Sequence, residues 1–178
     1  MKCWPVPNSY SKTIPKDESQ GSFWENREDR HHCGIDIYAP EGSNVLSIED
    51  GIVIESGTFT PNDTIPYWNK TYFVMIKNNS GLICKYAELN DVIVSVNNSV
   101  KAGQLIGHVG LVLDSNKINE KSPLYTQKIK RNGKCSMLHF ELYKSIPIKS
   151  TYYLGGNWFS DIKPKELLNP TYYIKNID

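Results

Sequence analysis

Long hydrophobic runs are absent from this sequence. No apolar stretch approaches the roughly 18 residues that a membrane-spanning helix needs, so we expect no membrane span. The N-terminal residues 1–5 also lack the apolar stretch of a signal peptide. Localisation is therefore left open among an exported mature fragment, a phage component and an intracellular protein.

A strong excess of either charge is also absent. The chain has 20 Lys and Arg against 19 Asp and Glu, which gives a net charge of +1. Binding to nucleic acid depends on neutralising phosphates with many cations, so we expect no nucleic-acid partner. The basic cluster at residues 128–131 is interpreted as a solvated loop, with a contact to a polyanion as the alternative.

Cysteines are few and widely separated. Cys3, Cys33, Cys84 and Cys135 form no Cys-x-x-Cys pair, which argues against a cysteine zinc finger. Strand alternation predicts that Cys84 and Cys135 share a face with Glu88 and His139, respectively, each four residues later. Buried thiols are the expectation, and a disulfide is the alternative.

Helical periodicity over three turns is lacking too, although residues 163–168 are compatible with one turn. Short β-branched and aromatic segments dominate instead, and they predict an all-β domain with a mainly antiparallel sheet. We predict strands at residues 45–48, 51–54, 72–77, 82–86, 92–96, 104–109 and 138–142. Asp50-Gly51 predicts a tight turn between the first two, and residues 78–81 predict a hairpin between the next two.

The length fits one domain spanning residues 1–178, with a core motif region at 24–143 and a C-terminal tail at 145–178 packed on the core. Two long connections, 57–71 and 111–134, interrupt the strand pattern, and loops of this length tend to be functional or disordered. Tyr67 and Trp68 in the first connection are expected to pack within the loop, with stacking on a ligand as the alternative.

Two short motifs carry the chemistry. His32 and Asp36 lie in His32-Cys33-Gly34-Ile35-Asp36, where a turn around Gly34 enters a predicted strand, and His139 lies in another strand. Two imidazoles and a carboxylate are a common ligand set for catalytic zinc, with the fourth position left to water. Taken alone, a His-x-x-x-Asp motif is common by chance, and a histidine between apolar residues is usually an ordinary core residue.

The order of the motifs between these residues is more specific. An Ala39-Pro40-Glu41-Gly42 segment is followed by residues 50–53, 86–89 and 100–107 and then by the His139 strand. From about residue 24 to 141 this series resembles the lysostaphin-type (LytM-type) zinc metalloendopeptidase family. The resemblance implies a Zn²⁺-dependent hydrolase that cuts peptide cross-links in bacterial peptidoglycan.

The resemblance implies zinc ligands at His32, Asp36 and His139. The family's two helper histidines, which activate water and stabilise the oxyanion, fall on Glu88 and Met137, so the chain is a divergent member. Glutamate beside zinc is a good general base, so Glu88 is the predicted catalytic residue, whereas methionine fills space.

Three questions stay open at this point. Glu88 could instead complete a closed, structural four-ligand site. His108 and Tyr86 are candidates for the missing oxyanion donor. The loss of both helper histidines also supports a catalytically inactive module that binds cell wall or a partner protein, and a zinc hydrolase of an unrelated small substrate is a weaker possibility.

Overall fold

β-Strands make up most of the regular structure. The structure is a computed structural model that describes residues 2–133, 135–175 and 177. Four residues of the predicted domain lie outside the described residues: Met1, Lys134, Asn176 and Asp178. Lys134 is also the last residue of the second long connection. The strands are β1 (His31–His32), β2 (Ile35–Tyr38), β3 (Asn44–Leu46), β4 (Gly51–Thr60), β5 (Thr71–Asn78), β6 (Ile83–Val92), β7 (Ser99–Val100), β8 (Leu105–Val109), β9 (Met137–Tyr143), β10 (Tyr153–Leu154), β11 (Asn157–Trp158) and β12 (Leu167–Leu168).

The strands form one large and one small antiparallel sheet. In the large sheet the order is β12-β9-β6-β5-β4-β7, with β2 also paired to β9, β8 paired to β6 and β3 paired to β8. The small sheet has the order β1-β11-β10. The predicted all-β, antiparallel fold is therefore confirmed.

Helices are short. The chain has α1 (Leu124–Asn132) and α2 (Thr171–Ile174). α1 lies in the connection at 111–134, where no helix was predicted, because it spans only about two and a half turns and buries just Thr126 and Ile129, too few positions to show periodicity. Within the described part of the chain, no helix is long and apolar enough to span a membrane.

Most predicted strands are present. The hairpin around residues 78–81 joins β5 to β6, and β8 and β9 match the predicted segments. The hairpin at Asp50-Gly51 was wrong, since β3 pairs with β8 and β4 pairs with β5 and β7. The carboxylate of Asp50 instead accepts hydrogen bonds from the Ala102 N–H at 2.9 Å and the Lys101 ammonium at 3.0 Å, which ties this bend to the chain after β7.

The predicted strand at residues 92–96 was also wrong. β6 ends at Val92, and the following residues turn toward β7. The side chain of Asn98 accepts a hydrogen bond from the Ser95 N–H at 2.9 Å, a local bond that competes with strand pairing. Ile93 and Val96 are consequently exposed rather than packed in the sheet.

The main core lies on one face of the large sheet. Leu138, Phe140 and Leu142 of β9 point into it, whereas the alternate residues of β9 face the other side, as period-two alternation requires. The C-terminal tail packs here as well, since the Tyr173 ring stacks on Phe140 and Ile174 is buried in the core. These contacts support our proposal of one domain with its tail on the core.

The four cysteines are free thiols. Cys84 points into the main core, so the prediction that it shares a face with Glu88 was wrong. Glu88 has a left-handed backbone (φ 60°), which breaks the alternation of β6 between the two residues. Cys135 precedes β9 and packs against the cluster around Tyr67 and Ile129, so strand alternation does not determine its face.

The variant Tyr86→Phe tests whether Tyr86 stabilises the main core without contributing to the metal site. The Tyr86 hydroxyl accepts a hydrogen bond from the buried Ile48 N–H at 2.9 Å, so Tyr86→Phe leaves that donor unpaired. We expect a loss of about 1–3 kcal/mol in the free energy of unfolding, measured by urea denaturation, with unchanged zinc content. Tyr172→Phe, at an exposed ring, is the control and should change neither quantity. Loss of zinc in Tyr86→Phe would contradict this assignment.

Candidate metal centre

The pairing of β2 with β9 brings the predicted ligands together. Asp36 lies directly opposite His139 in the register of the two strands. Gly34 allows this approach, because a Cβ at that position would lie 2.3 Å from the carbonyl oxygen of Phe140. His32 precedes the same turn on β1, so its ring reaches the pair from the side.

Three ligand atoms form a tight triangle. His32 Nε2 lies 2.9 Å from His139 Nδ1, and Asp36 Oδ1 lies 3.1 Å from each of these nitrogens. Two ligands that bind zinc at about 2.0–2.1 Å in tetrahedral geometry lie about 3.3 Å apart. The triangle therefore has nearly the size that a zinc ion requires.

The tautomers of both histidines suit a metal. His32 Nδ1 donates to the carbonyl oxygen of Ser22 at 2.8 Å, and His139 Nε2 lies 2.8 Å from Glu141 Oε1. These partners fix one proton on the outer nitrogen of each ring and leave the inner nitrogens as donors of lone pairs to a cation. The donor set thus fits zinc.

Glu141 anchors His139 from behind. It is fully buried and accepts hydrogen bonds from the hydroxyls of Tyr143 and Tyr153, with the Lys85 ammonium 3.4 Å away. Burial alone would raise the pKa of Glu141, but attraction to Lys85 and the hydrogen bond from His139 outweigh burial and hold the pKa well below its usual value. The sequence analysis missed this residue, although its position two after His139 on a strand predicts a shared face.

The ligands themselves have shifted pKa values. Burial and repulsion from Arg27 lower the pKa of His32. Burial alone would lower the pKa of His139, but hydrogen bonds with Asp36 and Glu141 outweigh burial and raise it to about 9. Burial alone would raise the pKa of Asp36, but attraction to His32 and the hydrogen bonds with both histidines hold it well below its usual value.

Glu88 lies beside the triangle but is not part of it. The group of ligand atoms within 4.8 Å of one another contains His32, Asp36 and His139 and does not contain Glu88. Its Oε2 is buried and has no hydrogen-bond partner among the described residues. Burial, followed by repulsion from Asp36, raises the pKa of Glu88 to about 8. Its left-handed backbone is a strained conformation of the kind often found at functional sites.

The other residues singled out from the sequence divide between the site and the rest of the fold. Met137 lines the same small cavity as Glu88. His108 pairs with Asp91 at 2.8 Å on β8, and Tyr86 is buried in the main core, so neither lines this cavity. Tyr67 and Trp68 are buried against α1 and its neighbours, which agrees with packing within the loop, and Trp68 also lines the cavity.

The site is enclosed by the two long connections and the turn between β10 and β11. The exposed fractions are small: His32 1%, Asp36 4%, His139 2% and Glu88 8%. The cavity beside the ligands has a volume of about 30 Å³, room for about two water molecules. Its wall includes residues that the sequence analysis missed, namely Arg27, Tyr125, Gly155 and Asn157.

The chain is similar in sequence to several known proteins. The model of peptidase family M23 matches residues 30–150. The lipoprotein YgeR of Escherichia coli (strain K12) is 30% identical over 110 residues, which cover 62% of this chain and 38% of that protein. The cell division protein DipM of Caulobacter vibrioides is 32% identical over 89 residues, covering 50% of this chain and 14% of that protein. The chain therefore spans well under half the length of these curated relatives.

A solved structure shows the same fold. The antimicrobial peptidase lysostaphin from Staphylococcus simulans superposes with a TM-score of 0.55 at 20% identity, covering 99% of this chain and 56% of that one. At this level of identity the similarity concerns the fold.

Zinc binding should release protons. In protein stripped of metal by a chelator, His139 with a pKa of about 9 is protonated at neutral pH, and it must lose its Nδ1 proton to bind an ion. The apparent zinc affinity should therefore fall about tenfold for each pH unit below about 9. Calorimetry in buffers of different ionisation enthalpy at about pH 7.5 should show release of at least one proton per zinc.

Glu88→Gln is the matched comparison for proton release. The pKa of Glu88, about 8 without a metal, falls when a cation binds nearby, so Glu88 contributes part of a second proton that the variant lacks. If zinc binds without proton release in either protein, His139 is already neutral in the metal-free protein and its raised pKa is contradicted.

Gly156→Ala tests the close contact between the β10–β11 turn and the His139 ring. Gly156 has a positive φ of 75°, and a Cβ there would lie 2.7 Å from the His139 ring, which Glu141 holds in place. We expect at least tenfold weaker zinc binding by competition with a chromogenic chelator. Gly81→Ala, also at positive φ but with open space around its Cβ, is the control and should cost only about 1–2 kcal/mol of stability. Equal zinc affinity in both variants would contradict the contact.

Proposed function

The chain belongs to peptidase family M23, and on that premise we propose that it is a zinc-dependent endopeptidase that hydrolyses peptide bonds in bacterial cell-wall cross-links. His32, Asp36 and His139 hold the metal in this proposal, and Glu88 is the general base. In this proposal the metal has three protein ligands and a fourth coordination position for water, as in catalytic zinc sites.

One observation carries the proposal. Glu88 lines the cavity next to the ligand triangle without joining the ligand group, and its buried Oε2 has no hydrogen-bond partner among the described residues. A carboxylate bound to the ion would complete a closed, structural site, whereas one placed beside it suits proton transfer. This arrangement favours a catalytic site.

The roles follow from ordinary hydrolysis chemistry. When bound, zinc polarises the scissile carbonyl and acidifies the attacking water. Glu88 takes the proton from that water at Oε2 and passes it to the amide nitrogen as the C–N bond breaks. A general base works best when its pKa lies near the working pH, and burial moves the pKa of Glu88 toward neutrality. Met137 shapes the cavity and transfers no proton.

The substrate class rests on the relatives. A cell division protein and an antimicrobial peptidase are among the proteins that this chain resembles, and both descriptions fit a target in the bacterial cell wall. We therefore propose peptidoglycan or a short peptide from it as the substrate. The similarity to a lipoprotein supports a location outside the cytoplasm.

Enclosure of the site favours a second candidate, a catalytically inactive module that binds cell wall or a partner protein. A cavity of about 30 Å³ is too small for a peptide, so hydrolysis requires the connections over the site to open. If they stay closed, the metal would hold the fold and the outer surface would bind the partner.

Glu88→Gln separates the two functions. We expect wild-type protein to release soluble peptide fragments from purified peptidoglycan in a chelator-sensitive manner, measured by mass spectrometry. The variant should keep about one zinc per chain and lose at least about 10²-fold in rate, because it has no base. Glu55→Gln, an exposed carboxylate of β4 away from this cavity, is the control and should keep full activity.

Other outcomes have distinct meanings. Full activity in Glu88→Gln would discard Glu88 as the base. Sedimentation of the wild-type protein with peptidoglycan, without any release of fragments, would instead support the inactive module.

A further inference from the structure

We infer that Arg27 supplies the oxyanion donor at this site, in place of the helper histidines that the chain lacks. The inference rests on the proposed peptidase function and adds a second catalytic residue to it. Arg27 lines the same cavity as Asp36 and Glu88, and its side chain is only 8% exposed.

A set of specific bonds fixes the guanidinium group. Its Nε donates to Glu25 Oε2 at 3.0 Å, Nη1 to Asn157 Oδ1 at 3.2 Å and Nη2 to Asp36 Oδ2 at 3.4 Å. The group also lies 5.0 Å from the centre of the Tyr125 ring. An arginine has five N–H donors, so two are not used by these three hydrogen bonds, and Arg27 lines the cavity.

The link through Asp36 positions Arg27 relative to the metal ligands. One carboxylate oxygen of Asp36 faces the two histidines, and the other accepts from Arg27. Asp36 therefore lies between the histidines and Arg27, so we expect a substrate carbonyl group at the ligand triangle to lie within reach of Arg27 as well. A carbonyl oxygen in this position gains negative charge as the water oxygen bonds to its carbon.

The other side chains of the cavity are poorer donors for that charge. Tyr125 and Trp68, which also line the cavity, are neutral donors and form weaker hydrogen bonds to an anion than a guanidinium does. Glu88 receives the proton of the water, and Met137 has no donor. Thr60 Oγ1 already donates to the carbonyl oxygen of Asn69 at 2.9 Å. Asn157 uses its amide group on the carbonyl oxygens of the β10–β11 turn. Among the described residues that line the cavity, Arg27 is the cation.

The fixed position of the guanidinium also favours this role. The carboxylates of Glu25 and Asp36 hold the guanidinium in place before the substrate arrives, so no reorganisation is needed during the reaction. Preorganised donors of this kind stabilise developing charge far better than water does. The hydrolysis itself consumes one peptide bond and one water and yields one carboxylate and one amine.

The test compares Arg27→Gln and Arg27→Lys with Arg30→Gln. Arg30 pairs with Asp29 at the surface and does not line the cavity, so its variant is the matched control. The first readout is independent of catalysis: calorimetric binding of inorganic phosphate, a tetrahedral oxyanion, to the zinc-loaded proteins. We expect the dissociation constant to rise at least about tenfold in Arg27→Gln, less in Arg27→Lys, and to stay unchanged in Arg30→Gln.

The second readout is peptide release from peptidoglycan, resolved into kcat and KM. Loss of one oxyanion donor should lower kcat of Arg27→Gln on the order of 10²-fold with little change in KM, and Arg27→Lys should recover part of it. Both variants alter the hydrogen bond to the predicted zinc ligand Asp36, which can weaken zinc binding, so kcat and phosphate binding are measured at saturating zinc. A purely structural role would instead lower zinc affinity and thermal stability together and leave the kcat of the zinc-saturated variant unchanged.

The outcomes separate this inference from the proposed function. If wild-type protein releases no peptide but its phosphate binding depends on Arg27, the peptidase proposal fails and the anion site stands. If phosphate binds equally to wild type and Arg27→Gln, or does not bind the zinc-loaded wild type, the inference is overturned whatever the peptidase activity.

Discussion

The antiparallel pairing of β2 with β9 is the constraint on which the site depends. It places Asp36 opposite His139, and the close approach at Gly34 brings His32 to the same point. A shift of the register by one residue would turn His139 into the core and Phe140 toward the site. The buried residues of β9 on the core side therefore help to fix the register of β2 and β9 that the site needs.

Charge is organised in layers around this pair of strands. The ligand triangle collects two histidines and one carboxylate, and Glu141 supports one of the histidines from behind. Lys85 and two tyrosine hydroxyls compensate Glu141, while Arg27 compensates Asp36 on the opposite side. Buried charges are tolerated only when paired in this way, and the arrangement leaves Glu88 as the carboxylate without a direct partner among the described residues of the cavity.

Much of this could be predicted from the sequence, because alternation along strands is a local property. The strands β5, β6, β8 and β9 follow from it. The ligand set of His32, Asp36 and His139 was implied by the family resemblance and not by alternation. Residues fixed by long-range packing could not be found in the same way. Arg27 reaches the site from an irregular segment, and α1 is too short to show periodicity. The left-handed backbone of Glu88 also reverses the face that alternation predicts for it.

The most direct test of the account is a crystal structure of the zinc-loaded protein with anomalous data at the zinc edge. The account predicts one ion at about 2.0–2.2 Å from His32 Nε2, Asp36 Oδ1 and His139 Nδ1, with a water in the fourth position that Glu88 contacts. Coordination of the ion by Glu88 itself, or the absence of an anomalous peak between the three ligands, would contradict it.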